Sequence, residues 1–131
     1  MRLLLDTSVF LWMAFDDPKL GRKTKRLLEA TSTEVWLSPI SIWESLMLER
    51  DGKIRLEPNP LRWARDTLAA FPFHEAPLNH EVALRSRAIR IDHEDPADRF
   101  LAATAAVYDL TLLTADERLL EGQGYAALKN G

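Results

Sequence analysis

The stretch that decides the fold of this 131-residue chain is Leu3-Leu4-Leu5-Asp6-Thr7-Ser8. Three successive leucines predict a strand that is buried on both faces, because neighbouring side chains of a strand point to opposite sides. Turn and cap residues follow in Asp6-Thr7-Ser8, before a helix that begins with Val9, Phe10, Trp12 and Met13. A buried strand that leads directly into a helix is typical of α/β proteins with a parallel sheet.

Short apolar runs alternate with segments of helical periodicity along the rest of the chain. Further strands are predicted over residues 34–37 and 111–114, with shorter ones within 73–78 and at 125–128. Further helices are predicted over residues 19–31, 39–51, 61–71, 79–89 and 96–108. We therefore expect a three-layer α/β/α sandwich, with a central and mostly parallel sheet of four to five strands, as a single domain over residues 1–131. Ligands of such folds bind beyond the carboxyl ends of the strands.

The composition excludes several classes of protein. The chain has no cysteine, which rules out disulfides, zinc–thiolate sites and cysteine nucleophiles and favours a reducing cytoplasm. Its longest apolar run after the start, Val9 to Phe15, is far shorter than the roughly 20 residues of a spanning helix. Asp6 interrupts the leucine run that resembles a signal peptide, so we expect a cytoplasmic protein. The net charge of -3 argues against a polyanionic substrate.

Two acidic residues follow predicted strands directly. Asp6 comes after the first strand and Asp116 follows the strand at 111–114, so both lie at the expected ligand edge. If these strands are neighbours at roughly 4.8 Å, their carboxylates can share one ion. Capping of a helix explains Asp116 equally well. Asp6 has less need to cap, since Thr7 and Ser8 are available, and a site explains it better.

Two more acidic residues fall on apolar faces of predicted helices. Glu44 has the apolar neighbours Ile40, Met47 and Leu48 at offsets of three and four, and Trp43 precedes it directly. A buried carboxylate costs several kcal/mol without a partner, so a cation or a dense hydrogen-bond network should meet it. The opposite side of this helix is also apolar, through Ile42 and Leu46, which suggests that a second chain covers it.

Asp95-Pro96-Ala97-Asp98 has the pattern of a helix start. Asp95 is explained as the cap and Pro96 as the first helical residue. Asp98 instead shares the packed face of this helix with Leu101, Ala102 and Ala105, and we expect it to point inward. Three or four carboxylates at one edge, without a Cys or His companion, favour Mg²⁺ or Mn²⁺ over zinc.

Four motifs together resemble a known family, the PIN-domain ribonucleases, and within it the VapC-type toxins of prokaryotic toxin–antitoxin pairs. The motifs are Leu4-Leu5-Asp6-Thr7-Ser8, Ser41-Ile42-Trp43-Glu44, the stretch from Asp95 to Ala105, and Leu112-Leu113-Thr114-Ala115-Asp116. They span nearly the whole chain in the family's order. The resemblance implies a PIN-like fold and metal-dependent endonucleolytic cleavage of RNA, with Asp6, Glu44, Asp98 and Asp116 as the acidic cluster.

In such a site, divalent ions held by the four acids would activate a water for attack on a phosphodiester. Thr7, Thr114, Asp95 and Arg99 are auxiliary candidates. Arg99 is a candidate to touch phosphate or to balance the acids, but its position about 100° from Asp98 around the helix agrees equally well with pairing elsewhere. The resemblance also implies a homodimer and a small antitoxin protein that blocks the active site. The apolar surface expected for such partners lies around Ile42, Leu46, Trp12 and Trp63.

Other signals are weaker. His74, His80 and His93 lack ligand spacing, so surface or loop positions are expected, and the basic face at residues 22–26 is expected to be solvated rather than bound to RNA. The alternatives are an aspartyl-phosphate phosphatase with Asp6 as nucleophile, although Ser8 occupies the place of its usual second acid, and a non-catalytic binding module. Setting aside the charges of the four proposed ligands raises the formal net charge from -3 to +1, which weakens the objection to RNA.

Overall fold

The computed structural model describes every residue from Met1 to Gly131. The strands are β1 (Arg2–Leu5), β2 (Glu34–Leu37), β3 (His74–Glu75), β4 (Thr111–Thr114) and β5 (Ala126–Lys129). The helices are α1 (Thr7–Ala14), α2 (Arg22–Glu29), α3 (Pro39–Arg50), α4 (Pro60–Ala70), α5 (His80–Arg85), α6 (Pro96–Tyr108) and α7 (Glu117–Glu121). All paired strands are parallel, in the order β3-β2-β1-β4-β5. The predicted α/β class is confirmed.

The central strand β1 divides the core into two parts. Leu3 and Leu5 pack on one face with α1, whereas Leu4 packs on the other face with α6. All three leucines are fully buried, as is Phe10 of α1. Burial of one such side chain stabilises the fold by about 1.5–3 kcal/mol. This alternation requires a helical layer on each face of the sheet, which is the predicted three-layer arrangement.

Three elements are shorter than predicted, each for a different reason. The segment 19–21 is tied into a turn, because Asp17 Oδ1 accepts from the Lys19 N–H and Asn130 Oδ1 accepts from the Gly21 N–H. The strand within 73–78 is limited to β3, since Pro77 cannot donate to a ladder. The helix predicted to reach residue 89 ends at Arg85, and the carbonyls of Ser86 and Ile89 beyond it accept hydrogen bonds from the Arg99 side chain of α6.

The register of the sheet brings the ends of two strands together. Leu5 of β1 pairs with Leu113 of β4, and the Asp6 N–H donates to the Leu113 carbonyl at 3.1 Å. Asp6 and the end of β4 therefore share the carboxyl edge of the sheet. None of the helices is both long and apolar enough to cross a membrane.

Candidate active site

A pocket of about 400 Å³ opens at the carboxyl edge of the sheet. All four acids that the sequence singled out line it, and they come from four different parts of the chain: Asp6, Glu44, Asp98 and Asp116. Its other walls are Thr7, Ser8, Trp12, Leu48, Asp95 and Ala115. None of these residues belongs to α2, so the basic face at 22–26 lies away from the pocket. The fold thus gathers the predicted acidic residues at one place.

Asp6 is held at both carboxylate oxygens. Oδ1 accepts from the Val9 N–H at 2.8 Å, which makes Asp6 the N-cap of α1, and Oδ2 accepts from the Thr114 hydroxyl. The expectation that Thr7 or Ser8 would cap this helix is wrong, because only Asp6 precedes the helical backbone. Burial raises the pKa of Asp6 to about 6, against the lowering effect of its two hydrogen bonds. The charges of Asp98 and Asp116 raise it further.

Glu44 projects from α3 and is half-buried. Its Oε1 accepts a hydrogen bond from the Thr7 hydroxyl, whose oxygen also lies 3.1 Å from Ser41 Oγ. Burial raises the pKa of Glu44, and the nearby charges of Asp98 and Asp95 add to the effect. The Glu44 carboxylate therefore meets the hydrogen-bond network that its position on a packed helix requires.

The apolar stripe predicted around Glu44 is only partly correct. Trp43 is 54% exposed, and Ser41 and Ser45 are the fully buried residues of α3. Small serine side chains let α3 pack closely, which periodicity of apolar residues does not reveal. Ile42, expected to face a second chain, packs against the core part that contains Leu3.

Asp98 lies in the first turn of α6, with its side chain 19% exposed. Asp95 is the N-cap, as predicted, and accepts from the Ala97 N–H at 2.9 Å. The Asp98 carboxylate itself contacts His93, whose Nε2 is 2.5 Å from Asp98 Oδ2. Burial raises the pKa of Asp98, the His93 hydrogen bond opposes this, and the charge of Asp95 raises it again.

Asp116 differs from the other three acids because it has a cationic partner. It caps α7 by accepting from the Arg118 N–H at 2.9 Å, and the Arg118 guanidinium is 3.4 Å from Oδ2. Burial acts to raise the pKa of Asp116, but the Arg118 hydrogen bonds and charge outweigh it, so the pKa lies below its ordinary value. Asp116 thus both caps a helix and lines the pocket.

The structure corrects one expectation about neighbouring residues and decides between the alternatives for another. His93 lies in the loop before α6, but its side chain is not on the surface, since it is only 8% exposed and contacts Asp98. The cap at Asp95 turns the chain so that residues 93 and 98 meet, and the Asp-Pro start of α6 was the signal for that turn. Arg99 is 7% exposed and donates to four backbone carbonyls, so it neither reaches into the pocket nor is placed to touch phosphate.

The auxiliary threonines have clear contacts. Thr7 donates to Glu44, and Thr114 donates to Asp6 while its oxygen accepts from the Asp116 N–H at 3.0 Å. Trp12 forms part of the pocket wall, whereas Trp63 packs edge-on against Phe10 at 5.9 Å. The threonines therefore orient acidic side chains.

The donor set fits a hard divalent cation. Five acidic residues line one pocket, the four predicted acids and the helix cap Asp95, and the charges on Asp98 and Asp116 raise the pKa of Asp6, which shows that the acids repel one another. Ligand atoms of His93, Asp98 and Asp116 all lie within 4.8 Å of one another. Oxygen donors from carboxylates are the ligands that Mg²⁺ and Mn²⁺ prefer. A bound cation would offset this repulsion.

The fold and the site together define a class of protein: a parallel α/β domain with carboxylates gathered at the carboxyl edge of its sheet. The chain belongs to the PIN domain family, since the family model described as "PIN domain" matches residues 3–123. No curated protein sequence matches the chain significantly.

Solved structures of similar fold come from toxin–antitoxin complexes. A chain of VapBC2 from Rickettsia felis, bound to a DNA fragment from its promoter, has a TM-score of 0.72 at 14% identity, with 98% of each chain covered. A chain of DNA-bound VapBC from Salmonella typhimurium has a TM-score of 0.69 at 16% identity, again with 98% of each chain covered. A toxin–antitoxin complex from Klebsiella pneumoniae gives 0.64 at 21% identity, covering 96% of this chain and 95% of that one. At these identities the similarity shows a shared fold.

Proposed function

We propose that the protein is a Mg²⁺- or Mn²⁺-dependent endoribonuclease that acts as the toxin of a type II toxin–antitoxin pair. The observation that carries this proposal is the meeting of Asp6, Glu44, Asp98 and Asp116 in one pocket at the carboxyl edge of the sheet. Membership of the PIN domain family supports a nuclease, and the toxin–antitoxin complexes of similar fold support the toxin role.

The four acids would hold the cation. When bound, Mg²⁺ or Mn²⁺ supplies the acidity that activates water and the charge that stabilises a phosphodiester under attack. The protein contributes rigid placement: Thr114 and the Val9 N–H fix Asp6, and Thr7 fixes Glu44. The raised pKa values of Asp6 and Glu44 mean that these carboxylates hold protons more readily than exposed ones, and ligation would displace those protons.

RNA is the proposed substrate despite the acidic net charge. The negative charge of the four ligands is concentrated where a cation would neutralise it, and the formal charge of the remaining chain is +1. We therefore propose modest, salt-dependent affinity for RNA, with the cation supplying much of the attraction for phosphate. Activity would take place in the cytoplasm, where the RNA is.

An antitoxin protein and a second copy of the chain are the proposed partners. Several large apolar side chains are exposed on helices or at their ends. They include Trp43, one residue from Glu44, Phe15, directly after α1, and Leu68 of α4. Exposed apolar groups of this size suit contacts with another protein. Size-exclusion chromatography with light scattering would test the homodimer, and co-expression with the product of an adjacent small gene would test the antitoxin.

The decisive experiment measures cleavage of RNA by purified protein. Fluorescent single-stranded RNA would be incubated with the wild type, Asp6→Ala and Glu44→Gln, in EDTA, Mg²⁺ or Mn²⁺. Asp92→Asn is the matched control, because Asp92 is exposed and outside the pocket. We expect cation-dependent cleavage by the wild type and the control only, and the same ranking for growth inhibition in bacteria.

Two results would contradict the proposal. Turnover of a phosphate monoester such as p-nitrophenyl phosphate, without cleavage of RNA, would point to a phosphatase with Asp6 as nucleophile. If Asp6→Ala and Glu44→Gln changed stability but left both cleavage and toxicity as in the wild type, the acids would serve only to cap and pack helices.

A further inference from the structure

The segment between α5 and α6 brings a histidine into the pocket region. His93 is 8% exposed, and its Nε2 lies 2.5 Å from Asp98 Oδ2. It is the side chain that hydrogen-bonds the Asp98 carboxylate. The reaction proposed above assigns His93 no role, although a buried imidazole at this distance limits where the Asp98 carboxylate can point.

The second ring nitrogen of His93 indicates which tautomer is present. Its Nδ1 accepts from the Asp95 N–H, at 3.4 Å. A neutral imidazole that accepts at Nδ1 carries its proton at Nε2, so Nε2–H donates to Asp98. An imidazole nitrogen that donates a hydrogen bond cannot ligate a cation at the same time. Asp98 Oδ1, in contrast, takes no hydrogen bond from the protein.

Arg99 binds the backbone of the segment that carries His93. Its Nε donates to the Ser86 carbonyl at 3.0 Å and its Nη2 to the Ile89 carbonyl at 3.1 Å. Nη1 donates to the carbonyls of His93 at 3.2 Å and Ile91 at 3.4 Å. The guanidinium thus binds the backbone from residue 86 to residue 93, and it does so from the residue next to Asp98.

We propose that His93 is a positioning residue that fixes the Asp98 carboxylate for a divalent cation, and that Arg99 holds His93 in place. This inference rests on the proposed function, since it deepens the role of the same pocket. Hydrogen-bond partners of metal-ligating groups orient the ligand, and their loss lowers metal affinity or activity by roughly 10- to 100-fold. For Asp98, His93 is this hydrogen-bond partner.

The experiment measures cation binding directly in the full-length protein. Mn²⁺ binding would be followed by electron paramagnetic resonance, and Mg²⁺ binding by calorimetry, for the wild type, His93→Ala, His93→Gln and the control His80→Ala. His80 is exposed and outside the pocket. Thermal unfolding of each variant in EDTA would show that it is folded.

We expect His93→Ala to bind both cations roughly 10- to 100-fold more weakly. His93→Gln should recover most of the affinity, because its amide Nε2–H can donate from the place of the imidazole Nε2–H. A merely structural role would lower the unfolding temperature of both variants without this recovery. For the wild type without cation, ¹⁵N NMR should show the Nε2–H tautomer, and this measurement needs no variant.

Three outcomes would overturn the inference. Unchanged affinity in a folded His93→Ala would do so, and so would an Nδ1–H tautomer. A loss for Mn²⁺ much larger than for Mg²⁺, with no recovery in His93→Gln, would instead make His93 a direct ligand, because Mg²⁺ is a hard cation that takes oxygen ligands and gains little from an imidazole nitrogen. A wild type that binds Mn²⁺ with the expected ranking of variants but cuts no RNA would contradict the proposed function alone.

Discussion

Replacement of Asp6 by asparagine should make the cation-free protein more stable at neutral and alkaline pH. The introduced amide keeps an oxygen that can accept from the Val9 N–H, so the cap of α1 survives. The substitution removes one of five acidic side chains that line the same pocket. The Thr114 hydroxyl, which donates to Asp6, would have to reorient towards the new amide, and this is the main loss.

The size of the effect follows from the pKa of Asp6, which burial raises from 3.8 to about 6. A shift of roughly two units corresponds to about 3 kcal/mol, and Asp6 is only 5% exposed. Because the folded-state pKa is raised, the protonated Asp6 side chain contributes this free energy to stability. The contribution is fully present below about pH 4 and is lost as the pH rises to about 6. At about pH 8 we therefore expect Asp6→Asn to gain roughly 1–3 kcal/mol, after the weakened Thr114 contact is taken into account.

Urea unfolding followed by circular dichroism, in EDTA at about pH 4.5 and pH 8, would measure the gain. Asp92→Asn is the control, as its carboxylate is exposed and outside the pocket. Addition of Mg²⁺ should offset most of the gain, because a cation at 100 times its Kd stabilises the wild type by about 2.7 kcal/mol and Asp6→Asn much less. If Asp6→Asn were less stable than the wild type at pH 8 in EDTA, burial and repulsion would not be the cause of the raised pKa.

Further predictions concern the groups around the acids. Arg99→Lys should lose about 3 kcal/mol of unfolding free energy or more, because an ammonium cannot reach four carbonyls at once; urea unfolding against the exposed control Arg90→Lys measures this, and an equal stability of the two would contradict it. Thr114→Val should raise the pKa of Asp6 above about 6, since it removes a hydrogen bond that lowers it, and ¹³C NMR of the carboxyl group would detect the change or its absence. Mg²⁺ affinity of the wild type should rise between about pH 5 and pH 7, because ligation displaces the Asp6 proton; calorimetry that finds no proton release over this range would argue against Asp6 as a ligand.

The sequence predicted the sheet and the acids because both follow from local rules. Leu3-Leu4-Leu5 can satisfy three buried positions only as a strand covered on both faces, and Asp6 and Asp116 come directly after strand residues. Once the strands are parallel, their ends must meet at one edge. Glu44 and Asp98 followed from helical periodicity, which places a charge among apolar neighbours.

The partners of these acids could not be predicted in the same way. The segment from Ser86 to His93 has no apolar period, and its conformation depends on the Arg99 guanidinium, which the sequence offered equally as a phosphate contact. His93 meets Asp98 only because Asp95 turns the chain there. Trp43 is exposed although periodicity placed it on a buried stripe, because Ser41 and Ser45 take the closely packed positions of α3.

Each of the four predicted acids has a neighbouring side chain that binds its carboxylate. Thr114 binds Asp6, Thr7 binds Glu44, His93 binds Asp98, and Arg118 binds Asp116. The four carboxylates are therefore positioned before a cation arrives, although they repel one another, and little ordering is left for the binding step. The pKa values of the four acids differ: Asp116, beside a cationic side chain, has a pKa below its ordinary value, whereas burial raises the pKa values of the other three against the lowering effect of their donors. Binding of a cation would compete with protonation of these carboxylates, of which Asp6 has a pKa of about 6, so the affinity for the cation would rise with pH.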